Sequence, residues 1–247
     1  MFKYYQMATK SKFLTAEWRK LIMANYDVDP SILEKFLPYK TVLDSFNGKC
    51  YVSLVGFRFQ NTRILNLSVP FHTDFPEINL RFYVRFKEGN EWKRGVVFLK
   101  EIVPKPTISF VANLIYKEKY ISLPVRHSEE FNEDSLKISY EWKFRNHWQK
   151  LSVKTSPNSI PLVPGSEEEF ITEHFWGYSN INKHTTGEYE VAHPLWEIYP
   201  VTGFEINCNF KDLYGSEFAG LDTMEPQSVF LAEGSKIIVY KKKLISH

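Results

Sequence analysis

The stretch Glu77-Ile78-Asn79-Leu80-Arg81-Phe82-Tyr83-Val84-Arg85-Phe86 alternates polar or amphipathic residues with apolar ones without a break. As an extended strand it sets Glu77, Asn79, Arg81, Tyr83 and Arg85 on one face, and Ile78, Leu80, Phe82, Val84 and Phe86 on the other. Two readings of the polar face stand side by side: the wall of a small pocket, or the wet side of a half-exposed sheet. Glu77 and Arg81 would lie about 13 Å apart along such a strand, too far to pair directly. In the pocket reading they serve opposite ends of one ligand.

The same alternation recurs along the chain. Leu21 to Tyr26 suits a strand, and Asp29-Pro30-Ser31 caps a helix carrying Ile32, Leu33, Phe36 and Leu37, which Pro38 ends. Thr41 to Asp44 and Cys50 to Phe57 flank Asn47-Gly48, a hairpin signal. Gly95 to Leu99 reads as a buried strand, and Phe110 to Tyr116 fits helix or strand, a short helix being the favoured reading. In Leu136 to Val153, Ile138, Tyr140, Trp142 and Phe144 share a face, and Asn146-His147 makes the turn. Ser166 and Glu169 form a capping box for a helix whose apolar side is Phe170, Phe175 and Trp176. Strands follow at Glu188 to Ala192, Trp196 to Tyr199 and Ile237 to Tyr240. These elements predict an α+β chain of mainly antiparallel β-structure, as a single domain over residues 1–247. The proline-rich loop at 157–164 is the best boundary candidate, read as a connection between two halves of one sheet system.

Composition agrees with strands: 20 Phe, 14 Tyr and 6 Trp make aromatics 16% of the chain. Lys plus Arg number 31 against 29 Asp plus Glu, a balance that argues against a nucleic-acid-binding field. The lysines of Lys236 to Lys243 are interrupted by Ile237, Ile238, Val239 and Tyr240, as in a last strand with a charged tip. Two cysteines, Cys50 and Cys208, make no disulfide framework and read as free thiols in a reducing compartment. The first residues, Met1 to Gln6, lack the features of a secretory signal, and no window is long and apolar enough for a membrane span. The expectation is a cytoplasmic protein with neither membrane nor nucleic-acid partner.

Motif chemistry is sparse. No phosphate-cradling glycine loop and no dinucleotide fingerprint is present, so no cofactor is expected. His174, His184 and His193 are ten and nine residues apart, unlike the spacing of a zinc helix, and no metal is expected. Lys117 and Lys119 flank Glu118. On a strand they would share a face and depress each other's pKa, while on an exposed turn they would not, and the turn is the favoured reading.

Several segments, taken in order, resemble the uncharacterised YqjF-like family, catalogued as a domain of unknown function. They are Asp29-Pro30-Ser31-Ile32-Leu33-Glu34-Lys35-Phe36-Leu37-Pro38 with Leu43 to Phe57; Phe75-Pro76-Glu77-Ile78-Asn79-Leu80-Arg81-Phe82-Tyr83-Val84 with Gly95-Val96-Val97-Phe98; and Phe170-Ile171-Thr172-Glu173-His174-Phe175 with Ala192-His193-Pro194-Leu195-Trp196. That family is similar in fold to acetoacetate decarboxylase. The resemblance implies a closed barrel of antiparallel strands with peripheral short helices, around a cavity for a small oxo-acid. In that enzyme a glutamate of a Tyr-x-Glu pattern lines the pocket, and Glu77 is the nearest match, with Phe75 in place of the tyrosine. Its Schiff-base lysine lies in a Gly-(Phe/Tyr)-Pro-Lys-Lys motif. Tyr116-Lys117-Glu118-Lys119-Tyr120 occupies roughly that region without the glycine, the proline or the adjacent lysines, so the Schiff-base role is not carried over.

What the resemblance implies for this chain is a domain binding a small metabolite, a carboxylate by preference, in a barrel cavity. Glu77 and Arg81 are the candidate catalytic pair. Arg81 would bind a carboxylate in bidentate fashion, Glu77 would act as acid, base or hydroxyl acceptor, and Asn79 would orient the ligand between them. His174 and His193 complete the candidate ligand-binding set. An enzyme acting on a small oxo-acid, and a protein-interaction domain using an aromatic surface, are the alternatives. Ligand identity, reaction and oligomeric state, a homo-oligomer included, are left open by the sequence.

Overall fold

The computed structural model describes residues 11–246. In chain order the elements are β1 (Lys12–Val28), α1 (Pro30–Glu34), β2 (Thr41–Leu43), β3 (Cys50–Ile64), β4 (Phe75–Glu88) and β5 (Glu91–Val103). Then come α2 (Pro106–Tyr116), β6 (Tyr120–Ser122), β7 (Val125–Phe131), β8 (Leu136–Phe144), β9 (His147–Thr155), β10 (Ile160–Pro161) and α3 (Glu167–Thr172). The chain closes with β11 (Trp176–Asn182), β12 (Thr185–Ala192), β13 (Glu197–Tyr199), β14 (Val201–Asn207), α4 (Phe210–Tyr214), a 3-10 helix (Ser216–Asp222), β15 (Ser228–Tyr240) and β16 (Lys243–Ile245).

The strands β15, β1, β3, β4, β5, β11 and β12 hydrogen-bond in that order, and β12 returns to β15 through Val191 opposite Val239 and Ala192 opposite Ile238. The sheet therefore closes into a ring. A second sheet, in the order β14-β9-β8-β7, lies outside it. The pairings are antiparallel except β5 with β11 and β5 with β6. Among the described residues no helix is long and apolar enough to cross a membrane.

Two cores follow from the period of two along each strand. Ile22, Ala24 and Tyr26 of β1, Val52 and Leu54 of β3, and Ile78, Leu80, Phe82 and Val84 of β4 face outward. They pack with Ile138, Tyr140, Trp142, Leu151 and Val153 of the second sheet, and with Phe210 and Leu213 of α4. Alternate residues of the same strands, among them Leu21, Met23, Val55, Phe57, Phe75 and Tyr83, form a separate cluster inside the ring. Every residue of β4 from Phe75 to Val84 is buried. Neither side of this strand is wet, because the apolar side meets the second sheet and the polar side faces the ring interior.

Gly56 lies directly against Tyr140 of the second sheet. A Cβ there would stand 2.7 Å from Tyr140 Cδ2, and the Tyr140 hydroxyl donates to the carbonyl oxygen of Lys20 at 2.8 Å, tying the second sheet to β1.

Local expectations fared unevenly. Asp29 caps α1 by accepting from the Ser31 amide at 2.8 Å, but the helix ends at Glu34, well before Pro38. Asn47 and Gly48 make a tight turn at φ 50° and 80°, bridged between Phe46 and Lys49. The turn does not join a hairpin, since β2 pairs with β4 and only β3 follows the turn as a long strand. The β8–β9 turn is centred on Arg145 and Asn146, one residue earlier than the sequence suggested, because those two take the positive φ values of 46° and 67°. Ser166 accepts from the Glu169 amide, yet the Glu169 carboxylate reaches back to the amide of Gly165 rather than Ser166. Phe175 and Trp176 lie beyond α3, Trp176 opening β11. The Phe110–Tyr116 helix is present as part of α2, and Cys50 and Cys208 are both free and buried.

The variant Gly56→Val should lose about 1–3 kcal/mol of stability through overpacking against the Tyr140 ring. Urea unfolding of the two proteins checks this, and equal midpoints would contradict the close approach of the layers.

Candidate functional site

The ring interior is incompletely filled. It holds a cavity of about 310 Å³ whose wall includes Glu77, Asn79 and Arg81 of β4, Glu101 of β5, Glu118, Tyr120 of β6, His174 and Tyr189 of β12. Around these the wall is apolar, with Trp18, Leu21, Phe57, Phe59, Phe98 and Val191 among its members. The three β4 candidates thus share one cavity wall, along with His174. His193 is not brought to it: its ring stacks on Trp196 at 4.3 Å and packs against Phe175 at 4.8 Å, with Nδ1 2.9 Å from the Pro194 carbonyl oxygen.

A bulge in β5 places Glu101. Leu80 pairs with Lys100 and the next residue, Arg81, with Phe98, so Leu99 is extra. Before the bulge Val96 and Phe98 point into the ring, and after it Glu101 and Val103 do. Asn79 stands directly opposite Glu101, and Glu101 pairs in parallel with Tyr120. Glu118 arrives from the turn after α2. Lys117 adopts a left-handed conformation at φ 57°, and the exposed Lys117 and Lys119 bracket a buried Glu118. The exposed-turn reading of the lysines agrees with this, and the residue that matters lies between them. Among the described residues no lysine lines this cavity.

Three buried carboxyl groups thus share the cavity wall. Tyr120 donates to Glu77 Oε2 at 3.1 Å, Asn79 donates to Glu77 Oε1 at 3.1 Å, and Tyr189 donates to Glu118 Oε1 at 3.1 Å. Glu101 Oε2 is buried without a partner. Burial, which penalises the charged form, raises all three pKa values. Glu77 is pushed up to about 7, held lowest by its donors Asn79 and Tyr120 and by the charge of Arg81. Glu118 rises to about 8, and Glu101, further repelled by Glu118 and Glu77, rises well above the usual carboxylate range. Near neutral pH the cluster therefore holds protons, with Glu77 the readiest to release one. Among the described residues no group of three acidic, His or Cys side chains has metal-binding geometry.

Arg81 carries a lone charge. It is 8% exposed, its Nε is buried without a hydrogen-bond partner, and its Nη2 reaches only the Met23 sulfur at 3.8 Å. Among the described residues it has no ion pair. A guanidinium in such surroundings is costly unless an anion meets it.

His174, immediately beyond α3, belongs to a second arrangement. Burial lowers its pKa to about 4, so at neutral pH the ring is uncharged. Asp44 is also desolvated, but hydrogen bonds from His174 and Arg94 hold it down at about 2. Asp44 Oδ2 accepts from Arg94 Nε at 2.7 Å and lies 3.2 Å from His174 Nε2. An ionised acceptor requires the imidazole proton to sit on Nε2. That leaves Nδ1 as a bare acceptor, and it has no partner. Tyr83 and Phe170 clamp the ring at 4.7 and 5.0 Å.

Glu101, Glu118, Tyr120 and Asp44 escaped the sequence reading. Lys100-Glu101 between Leu99 and Ile102 was the one legible signal, a charged pair interrupting an apolar strand.

Several solved enzymes share this architecture. The enduracididine biosynthesis enzyme MppR, in complex with the condensation product of pyruvate and imidazole 4-carboxaldehyde, matches with a TM-score of 0.68 at 13% identity, over 98% of this chain and 92% of that one. The acetoacetate decarboxylase of Legionella pneumophila matches with a TM-score of 0.65 at 12% identity, over 96% of this chain and 88% of that one. The fold is thus that of the acetoacetate decarboxylase-like proteins. Within that class, residues 15–236 match the DUF2071 model of uncharacterized conserved proteins, and the chain belongs to this family. The uncharacterized protein YqjF of Bacillus subtilis is 39% identical over 82 residues, a match that spans about a third of either chain.

Two measurements test the electrostatics. Carboxyls with raised pKa bind more protons in the folded than in the unfolded state, so their contribution falls as pH rises. His174, with its lowered pKa, acts oppositely between about pH 4 and 6.5, which leaves the carboxyl effect clear above pH 6.5. Glu118 alone should lower stability by roughly 2 kcal/mol from about pH 6.5 to 8.5, and Glu118→Gln should remove that part of the fall. Identical profiles for the two proteins would refute the assignment. In 15N NMR at neutral pH, His174 should show a protonated Nε2 and an unprotonated Nδ1, with no titration near pH 6.5.

Proposed function

We propose that this protein binds a small carboxylate-bearing metabolite inside the ring. The observation that carries the reading is Arg81, a buried guanidinium with no ion pair among the described residues, on the wall of a cavity of ligand size. A carboxylate meets its planar fork with two parallel hydrogen bonds and neutralises the charge. Asn79 and Glu77, the next inward residues along β4, contact the rest of the ligand. His174 accepts a hydrogen bond at Nδ1 from a ligand hydroxyl or enol. MppR, similar in fold, is solved in complex with pyruvate, which agrees with an oxo-acid as the ligand head.

A second reading, an enzyme acting on an oxo-acid, draws on the Glu77 pKa of about 7 beside the protonated Glu101 and Glu118. Glu77 removes a proton from the carbon next to the ligand carbonyl, and a neutral neighbouring carboxyl hydrogen-bonds the developing enol oxygen. No lysine adduct is part of this chemistry.

Titration calorimetry with pyruvate should give saturable binding that weakens about 10- to 100-fold in Arg81→Met, as expected for loss of charge-assisted hydrogen bonds. Equal binding by the variant would sink the carboxylate reading. Exchange of the pyruvate methyl protons in D2O, followed by 1H NMR and abolished in Glu77→Gln, separates enzyme from binder.

A further inference from the structure

The polar groups occupy only part of the cavity. The remaining wall is built from aromatic rings locked against one another: Trp18 meets Phe57 edge-on at 5.4 Å and Phe59 at 5.9 Å, and Phe59 stacks on Phe75 at 4.7 Å. Leu21, Phe98 and Val191 continue this surface. Set into it are two buried and unpartnered polar groups, the indole N–H of Trp18 and the hydroxyl of Thr62. At about 30 Å³ of liquid volume per water, 310 Å³ accommodates on the order of ten non-hydrogen atoms. A ligand of pyruvate size would satisfy Arg81 and leave the aromatic wall uncovered.

The mouth has the same character. Leu67 and Val69 belong both to the cavity wall and to the surface, being 72% and 46% exposed, so the cavity opens beside them. Across the opening lie Thr107 and Ile108 of α2, and His72 Nε2 is 2.6 Å from Thr107 Oγ1, joining the two rims. The apolar surface continues outward on the same segments through Phe71 and Phe110, at 88% and 69% exposure. Apolar surface thus runs from the aromatic wall to the solvent, with the cationic Arg81 on the same cavity wall.

We infer that the natural ligand is an amphipathic carboxylic acid whose carboxylate meets Arg81 and whose apolar tail, an acyl or aryl chain, lies along the Trp18–Phe59–Phe75 wall towards the Leu67–Val69 opening. This rests on the assignment of Arg81 to the ligand carboxylate. The tail supplies affinity through apolar burial, and the head supplies selection of an acid over an alcohol or ester.

Titration calorimetry with butyrate, hexanoate and octanoate, with 1-octanol as the uncharged control, tests the inference. The expected result is an affinity rising about fourfold with each added methylene, the increment that apolar burial predicts. Octanol should bind at least tenfold more weakly than octanoate. Leu67→Asn, at a side chain already exposed and without adding charge, should weaken octanoate by a larger factor than butyrate. A flat series, with butyrate binding as tightly as octanoate, overturns the inference and leaves the carboxylate reading standing. Octanol binding as well as octanoate, or no acid binding at all, overturns both.

Discussion

Everything distinctive about this molecule depends on β4 being buried from both sides. Its apolar residues Ile78, Leu80, Phe82 and Val84 are claimed by the second sheet, and closure of the ring through β12 and β15 encloses the opposite face. Because side chains alternate strictly along a strand, Glu77, Asn79 and Arg81 then have only the ring interior to enter. A one-residue slip would drive three polar side chains into the apolar layer between ring and second sheet. The hydrophobic pattern and the polar cavity therefore enforce each other.

Once inside, these groups behave as low-dielectric surroundings require. Carboxyls that would be ionised in water keep their protons, and they differ among themselves according to local donors: Glu77 with two, Glu118 with Tyr189, and Glu101 with an unpartnered oxygen and two acidic neighbours. Arg81 remains charged on the same wall. Among the described residues the interior thus combines a readily ionised acid, neutral acids and a cation, Arg81, without an ion pair. That is a polar inventory suited to an anionic head group, set in an otherwise apolar enclosure.

Small departures from regularity do the positioning. The extra Leu99 turns Glu101 inward, and the left-handed Lys117 turns Glu118 inward between two solvated lysines. Asp44, just past β2, is brought to His174 by the pairing of β2 with β4 and fixes its tautomer through a carboxylate shared with Arg94. The Asn47-Gly48 turn shows the same point in reverse. The local signal marks a hairpin and the chain does make the tight turn, but the strand before it finds its partner in β4.

The alternation of 77–86, the strand character of 136–153, the cap at Asp29 and the order of family-like segments were all legible in the sequence, because periodicity and capping are local properties. They determined a mainly antiparallel fold and put Glu77, Asn79 and Arg81 on one face. Whether that face met water or a cavity was beyond local reach, since the answer lies in the pairing of Val191 with Val239 and in the second sheet covering the other side. Glu101 and Glu118 were hidden for the same reason: a bulge and a left-handed turn, not composition, aim them inward. His193 resembled His174 in sequence and was separated from it only by packing, one stacked on Trp196 and the other set in the cavity wall. Local sequence determines which way a side chain points relative to its neighbours, and only closure of the sheet decides what lies in that direction.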